Sequence, residues 1–205
     1  MNINKAIRKQ RKSYIRFLLS MCFVFFALPL ALIFYSQLDL FYIGYMTVVE
    51  MLVAVSVTER SGQERLEFDY NMGRLRVKRG LFAKNESINC DKIMYVDVEP
   101  AAEKVKGFQE FNIILISKSK FRNKKLKAVD REIWDRYIRT WPVSGKQALE
   151  NPEKELYYLM IDSGGLRKYR LLDAVFTSCV KAAFSENAIE KIKFYRKSID
   201  SFRRD

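Results

Sequence analysis

FLLSMCFVFFALPLALIFY (Phe17–Tyr35) is uncharged from end to end, and LFYIGYMTVVEMLVAVSV (Leu40–Val57) follows it with a single acid, Glu50. At about 1.5 Å per residue, each stretch is long enough as a helix to cross a hydrocarbon core of roughly 30 Å. The polar break between them, Ser36-Gln37-Leu38-Asp39, permits only a tight hairpin. Residues 17–57 are therefore predicted to form two transmembrane helices.

A cleaved signal peptide is the competing reading, because Lys5, Arg8, Lys9, Arg11 and Lys12 precede the first apolar run. That run is longer than a signal core, has no small-x-small cleavage site before the second run, and is followed at once by another span. Arginine and lysine flank both outer ends, from Lys5 to Arg16 and from Arg60 to Arg79, and the inter-helix loop has none. The positive-inside rule then predicts both termini in the cytoplasm. The expected organisation is a basic cytoplasmic N-terminus (1–16), the hairpin (17–57) and a cytoplasmic domain (58–205) in the cell membrane.

Within the spans, Pro29 removes one backbone donor, which a membrane helix tolerates. Ala27 and Ala31, with Gly44 and Ala54, offer small positions for close packing within the hairpin or between two copies. Glu50 is costly in hydrocarbon, by about 2.5 kcal/mol or more on insertion scales. It is read as an intramembrane polar contact, either with a partner subunit or with a hydroxyl such as Thr47 or Ser20; a proton or ion site is the third option.

The 205 residues suit one compact domain plus an anchor. With 37 Lys and Arg against 24 Asp and Glu, the net charge of +13 draws the domain to anionic surfaces, membrane phospholipid or nucleic acid. The absence of histidine removes every histidine-dependent triad and the commonest metal ligand, so no cofactor, metal or catalytic group is expected. Cys22, Cys90 and Cys179 are odd in number and widely spaced; they suggest no bridge framework and a reducing compartment. Cys90, beside Asp91 and Lys92, is read as a strand-edge side chain in preference to an activated thiol.

Beyond the spans the period changes. Leu66, Phe68 and Tyr70 alternate with polar residues, Asn71-Met72-Gly73 supplies a turn, and Leu75 and Val77 alternate again, which predicts a β-hairpin ended by Gly80. Strands follow around Glu86–Asn89 and Ile93–Val98, the latter closed by Pro100, and across Phe111–Ile116, whose continuous apolar run predicts burial on both faces. Glu155–Ile161 and Leu166–Leu172 flank Asp162-Ser163-Gly164-Gly165 and read as a second hairpin; that turn lacks the spacing and lysine of a phosphate loop. Val175, Phe176, Cys179, Val180, Ala183 and Phe184 read as a helix capped by Asp173, and Asn187 with Glu190 as the capping box of another. The fold class is an α+β membrane protein: helical hairpin, antiparallel sheet or barrel, then C-terminal helices.

LEFDYNMGRLRVKRGLF and NESINCDKIMYVDVE, placed after a two-helix anchor, resemble the bacterial pleckstrin-homology-like membrane proteins over Leu66–Val98. The resemblance implies a partly open antiparallel barrel capped by a helix, with scaffolding roles and no catalytic motif to carry over.

The chain departs from that pattern at 117–151. Lys118, Lys120, Arg122, Lys124, Lys125 and Lys127 make a basic run, and Val129, Ile133, Trp134, Tyr137, Ile138 and Trp141 recur at helical spacing until Pro142. Basic residues beside Trp134 and Trp141 suit an anionic membrane interface. Alternatively, the tryptophans close one end of the domain and the lysines stay solvated; nucleic acid is the weaker third option. The expected function is a non-catalytic scaffold or binding module, with anionic lipid and membrane proteins or a second copy as partners. The alternatives are a membrane-tethered nucleic-acid-binding component and an enzyme acting at the lipid surface.

Overall fold

The computed structural model describes residues 3–34, 39–80, 85–105, 108–119, 126–133, 136 and 156–203. Two helices lead: α1 (Ile3–Phe34) and α2 (Leu40–Glu64), of 32 and 25 residues. They are about 48 and 38 Å long at the usual helical rise. Both are long and apolar enough to cross a membrane, and no residue of their most apolar stretches is buried. Leu40, for example, is 90% exposed. A continuous apolar surface of this extent marks an interaction with lipid or protein. α1 runs through Pro29 unbroken. A Cβ at Gly44 would meet nothing within 4 Å, so the small-residue packing expected there does not form within the hairpin.

The beginning of α1 is more than a basic leader. Ile3, Ala6 and Ile7 are buried in the main core, while Lys5, Arg8 and Lys9 on the same turns are exposed. The i, i+3, i+4 spacing places the three apolar residues on one face. That face joins Ala188, Ile192 and Tyr195 of the C-terminal helix in one cluster. The helix that exposes its apolar half thus contributes its other end to the folded domain.

β1 (Leu66–Asn71), β2 (Arg74–Arg79) and β3 (Glu86–Asn89) form an antiparallel meander, as the alternation predicts for the first two. Met72 and Gly73 both have positive φ, 47° and 74°, the signature of the turn that best matches strand twist in a two-residue hairpin. Next come a short 3₁₀ turn (Cys90–Lys92), β4 (Ile93–Val105), β5 (Phe108–Ser117), β6 (Lys127–Ala128) and one helical turn, α3 (Arg131–Ile133). β7 (Tyr157–Ile161), α4 (Arg167–Ser178), β8 (Ala183–Phe184) and α5 (Glu186–Arg203) complete the order.

The second sheet runs β6-β7-β5-β4-β8, antiparallel except for the short β4–β8 pair. Its central strand, β5, is buried on both faces as expected. Phe111, Ile113 and Leu115 enter the main core, and Ile114 and Ile116 a smaller one on the opposite side. The three-stranded sheet supplies Leu75, Val77 and Ile88 to the same main core. Among the described residues the two sheets form no closed barrel.

Four expectations need correction. Pro100 does not close β4; it pairs opposite Phe111, and the register shifts between it and Lys104. β8 pairs with β4 only at Tyr95 and Val96, so no described strand lies beside Pro100 on that edge to require its missing N–H. Leu166–Leu172 is no strand: α4 covers it, burying Tyr169, Leu171, Leu172 and Val175 at helical spacing. Asp173 is consequently mid-helix, and Ala183 and Phe184 form β8. The cap of α5 is Ser185, whose Oγ accepts from the Ala188 N–H at 3.1 Å, two residues before the expected Asn187.

Cys90 and Cys179 also depart from expectation. They pair as a disulfide with Cα atoms 4.7 Å apart, tying the 3₁₀ turn to the end of α4, and both are buried. Cys22 is free and exposed.

Candidate functional site

The described members of the basic run, Lys118 and Lys127, are exposed. Lys118 follows β5, its N–H donating to the Lys92 carbonyl at 3.0 Å, and Lys127 sits in edge strand β6 opposite Tyr158. Lys120, Arg122, Lys124, Lys125, Trp134 and Trp141 lie outside the described residues. The start of the apolar stripe faces protein: Val129 and Ile133 pack on Met94, Tyr95, Ile114, Ile116 and Leu156. Burial first, then Asp97, push the Tyr95 hydroxyl up to about 12, with a Ser185 hydrogen bond opposing.

Glu50 is half-buried on α2 and makes no ion pair or hydrogen bond among the described residues. The hydroxyls expected to hold it are committed elsewhere. Thr47 Oγ1 donates to the Ile43 carbonyl at 2.9 Å and Ser20 Oγ to the Arg16 carbonyl at 3.0 Å.

The feature built with most care lies elsewhere, at the foot of the hairpin. A cleft of about 870 Å³ opens between α1, α2, the end of β2, β5 and the turn Asp162–Gly165. Glu59, Glu64, Glu110 and Asp162 border it, with Arg60 and Arg79 as cations. Arg79 is clamped three ways: by Glu86 Oε1 and Oε2 at 2.9 and 3.0 Å, by the Met160 carbonyl at 2.9 Å, and by Asp162 at 3.7 Å. Lys168, fully buried behind it, donates from Nζ to the Asp162 carbonyl at 2.6 Å. Burial pulls its pKa down, and Glu110 and Asp162 oppose.

Comparison with protein-family models, curated proteins and solved structures finds no match.

The turn of the cleft is the keystone of the junction. Gly164 donates to the Gln63 carbonyl at 2.6 Å, and the Leu166 N–H reaches Gln10 Oε1 of α1 at 3.3 Å. Gly164 and Gly165 have φ of 110° and 51°. A Cβ on Gly164 would lie 2.5 Å from Leu66 Cβ, and one on Gly165 would run into the Gln10 side chain. Only glycine permits both the conformation and the approach. Across the cleft the helices lock to each other, Tyr14 Oη donating to Ser61 Oγ at 3.0 Å. The Arg60 guanidinium sits 4.3 Å above the Phe17 ring. Polar groups therefore begin where the apolar stretch of α1 begins.

The cleft is polar and mixed in charge, which suits a polar or charged segment better than an apolar ligand. Among the described residues no group of three or more Cys, Asp or Glu is placed to hold a metal ion. No local sequence pattern marks the cleft as a whole, because its walls come from residues 10, 13, 58–60, 62–64, 79, 110, 162, 163 and 165. The glycine pair at 164–165 was the only local sign.

Proposed function

We propose that this chain is a two-span membrane protein whose β-domain, of the pleckstrin-homology-like type, serves as a non-catalytic binding or scaffolding module on the cytoplasmic face. The observation that carries the proposal is the continuity of α1. Ile3, Ala6 and Ile7 belong to the domain core, while the far half of the same helix exposes an unbroken apolar surface. A domain joined in this way is held at a fixed attitude to the bilayer, as a scaffold requires and a flexible tether would not supply. The succession of two antiparallel sheets and a packed closing helix supports the pleckstrin-homology-like reading.

Orientation rests on the basic residues at both outer ends of the hairpin. The Cys90–Cys179 bridge argues the other way, since such bonds persist in oxidising compartments. The charge bias outweighs the bridge, because it is spread over many residues, and two buried thiols can occupy the same site when reduced.

The cleft is proposed as the place where a polar juxtamembrane segment of a partner membrane protein is received. Purification in mild detergent is expected to recover membrane proteins in fixed stoichiometry. Glu59→Lys, at an exposed position on the cleft wall, is expected to lower that recovery by about fivefold, since a reversed charge opposes the complementary one. Recovery of the protein without any membrane protein would contradict the scaffold reading.

A further inference from the structure

A second cavity, of about 210 Å³, lies beside the cleft between α1, the start of β1 and the start of α4. Its walls are of three kinds, the carboxylates of Glu64 and Glu67 among them. Ile15 and Leu18 of α1 are apolar; Arg11, Arg65 and Arg167 are cationic. Leu18 belongs to the apolar stretch of α1, and Arg11 lies seven positions earlier, about 10 Å along the axis. A leaflet's polar layer is roughly 5–8 Å deep. When α1 spans a bilayer, the cavity therefore reaches from the edge of the hydrocarbon to the headgroups, and the inference rests on that reading of the hairpin.

The positive charge here is incompletely balanced. Arg65 is 3.0 Å from Glu67, with both side chains partly exposed. Arg167 gives Nη1 to the Leu66 carbonyl at 3.0 Å. Arg11 makes no ion pair or hydrogen bond among the described residues. Burial, then the charge of Arg11, hold Arg167 below its usual value; Glu67 opposes, and Arg170 and Arg65 add to the effect. The remaining acid on the wall, Glu64, is engaged by Arg60 at 3.0 Å through Oε1. Its Oε2 is buried with no hydrogen-bond partner among the described residues. The site thus presents Arg11 and Arg167 as cations with no described carboxylate bound to them and, beside them, the free Oε2 acceptor of Glu64.

We propose that this cavity binds a phospholipid headgroup: Arg11, Arg65 and Arg167 take the phosphate, Ile15 and Leu18 flank the first acyl carbons, and Glu64 accepts from a donor on the headgroup. Arginine suits the role because its planar fork matches phosphate oxygens in pairs. Glycerol or ethanolamine supplies the donor, whereas choline has none.

The test uses the full chain in mild non-ionic detergent, depleted of lipid and titrated with phosphatidylglycerol or phosphatidylcholine, with binding read by native mass spectrometry. One phosphatidylglycerol is expected to bind in clear preference to phosphatidylcholine. Arg11→Gln is expected to weaken it about fivefold, and Arg11→Gln with Arg167→Gln about 30-fold. Arg11 is exposed, so the single variant carries the test if the double variant fails to fold. Equal uptake of both lipids, or binding unchanged by Arg11→Gln, would overturn the proposal. Displacement of the lipid by an equal concentration of glycerol 3-phosphate would overturn the lipid assignment in favour of a free phosphate ester. Carbonate extraction of membranes separates the two levels. Release of the wild-type chain would sink the membrane reading itself, while retention with no lipid preference would sink only the headgroup site.

Discussion

Glu86→Ala is expected to destabilise the domain by about 3–5 kcal/mol, because it removes one partner of a buried ion pair and leaves the other charge in place. The Arg79 and Glu86 side chains are only 12% and 4% exposed. The guanidinium meets the carboxylate through Nε at 3.2 Å and Nη2 at 2.9 Å. Without Glu86, Arg79 keeps the Met160 carbonyl and a distant, largely exposed Asp162, neither of which neutralises a buried charge. In a thermal melt of the full chain in detergent, the midpoint is expected to fall by about 10 °C. Lys181→Ala is the control. Its pair with Asp91 is 74% and 61% exposed, and such pairs contribute little, so the midpoint should stay within about 2 °C.

Ile3→Asp is expected to have an effect of similar size for a different reason. Ile3 is fully buried in the cluster that holds Ala188, Ile192 and Tyr195. An aspartate there forfeits the apolar contact and places a carboxylate in the core, at a cost of about 3–5 kcal/mol. The first turns of α1 should detach from α5, seen as a lower melting midpoint and as new protease cleavage before Arg16. Lys5→Asp makes an even larger change in charge on the exposed side of the same turn and should do neither. A leader that merely trailed in solvent would respond equally weakly to both substitutions.

The contrast between those two neighbours shows what was legible in the sequence. The two long apolar helices and the β1–β2 hairpin were readable because each is decided locally, the first by length and composition, the second by alternation around Met72-Gly73. β5 was readable because FNIILI has no polar face to lose. The role of Ile3, Ala6 and Ile7 was not, since three apolar residues among lysines and arginines acquire meaning only from α5, far along the chain. Leu166–Leu172 failed for another reason. A short apolar run is compatible with strand or helix, and the stripe Tyr169, Leu172, Val175 decides only once the core is known. The Cys90–Cys179 pair spans 89 residues, and both arginine-lined cavity and cleft draw on segments equally remote.

The central claim is that the hairpin spans a membrane and holds the β-domain on the cytoplasmic side. Single-cysteine labelling tests it directly. Cys22→Ser removes the exposed thiol, Cys90 and Cys179 stay buried, and one reporter is added at Asp39→Cys between the helices or at Met72→Cys, 93% exposed at the hairpin turn. In intact cells, a membrane-impermeant maleimide is expected to label the Asp39 reporter at once and the Met72 reporter only after permeabilisation. Labelling at Met72 in intact cells, or protection at both positions until lysis, would contradict the account.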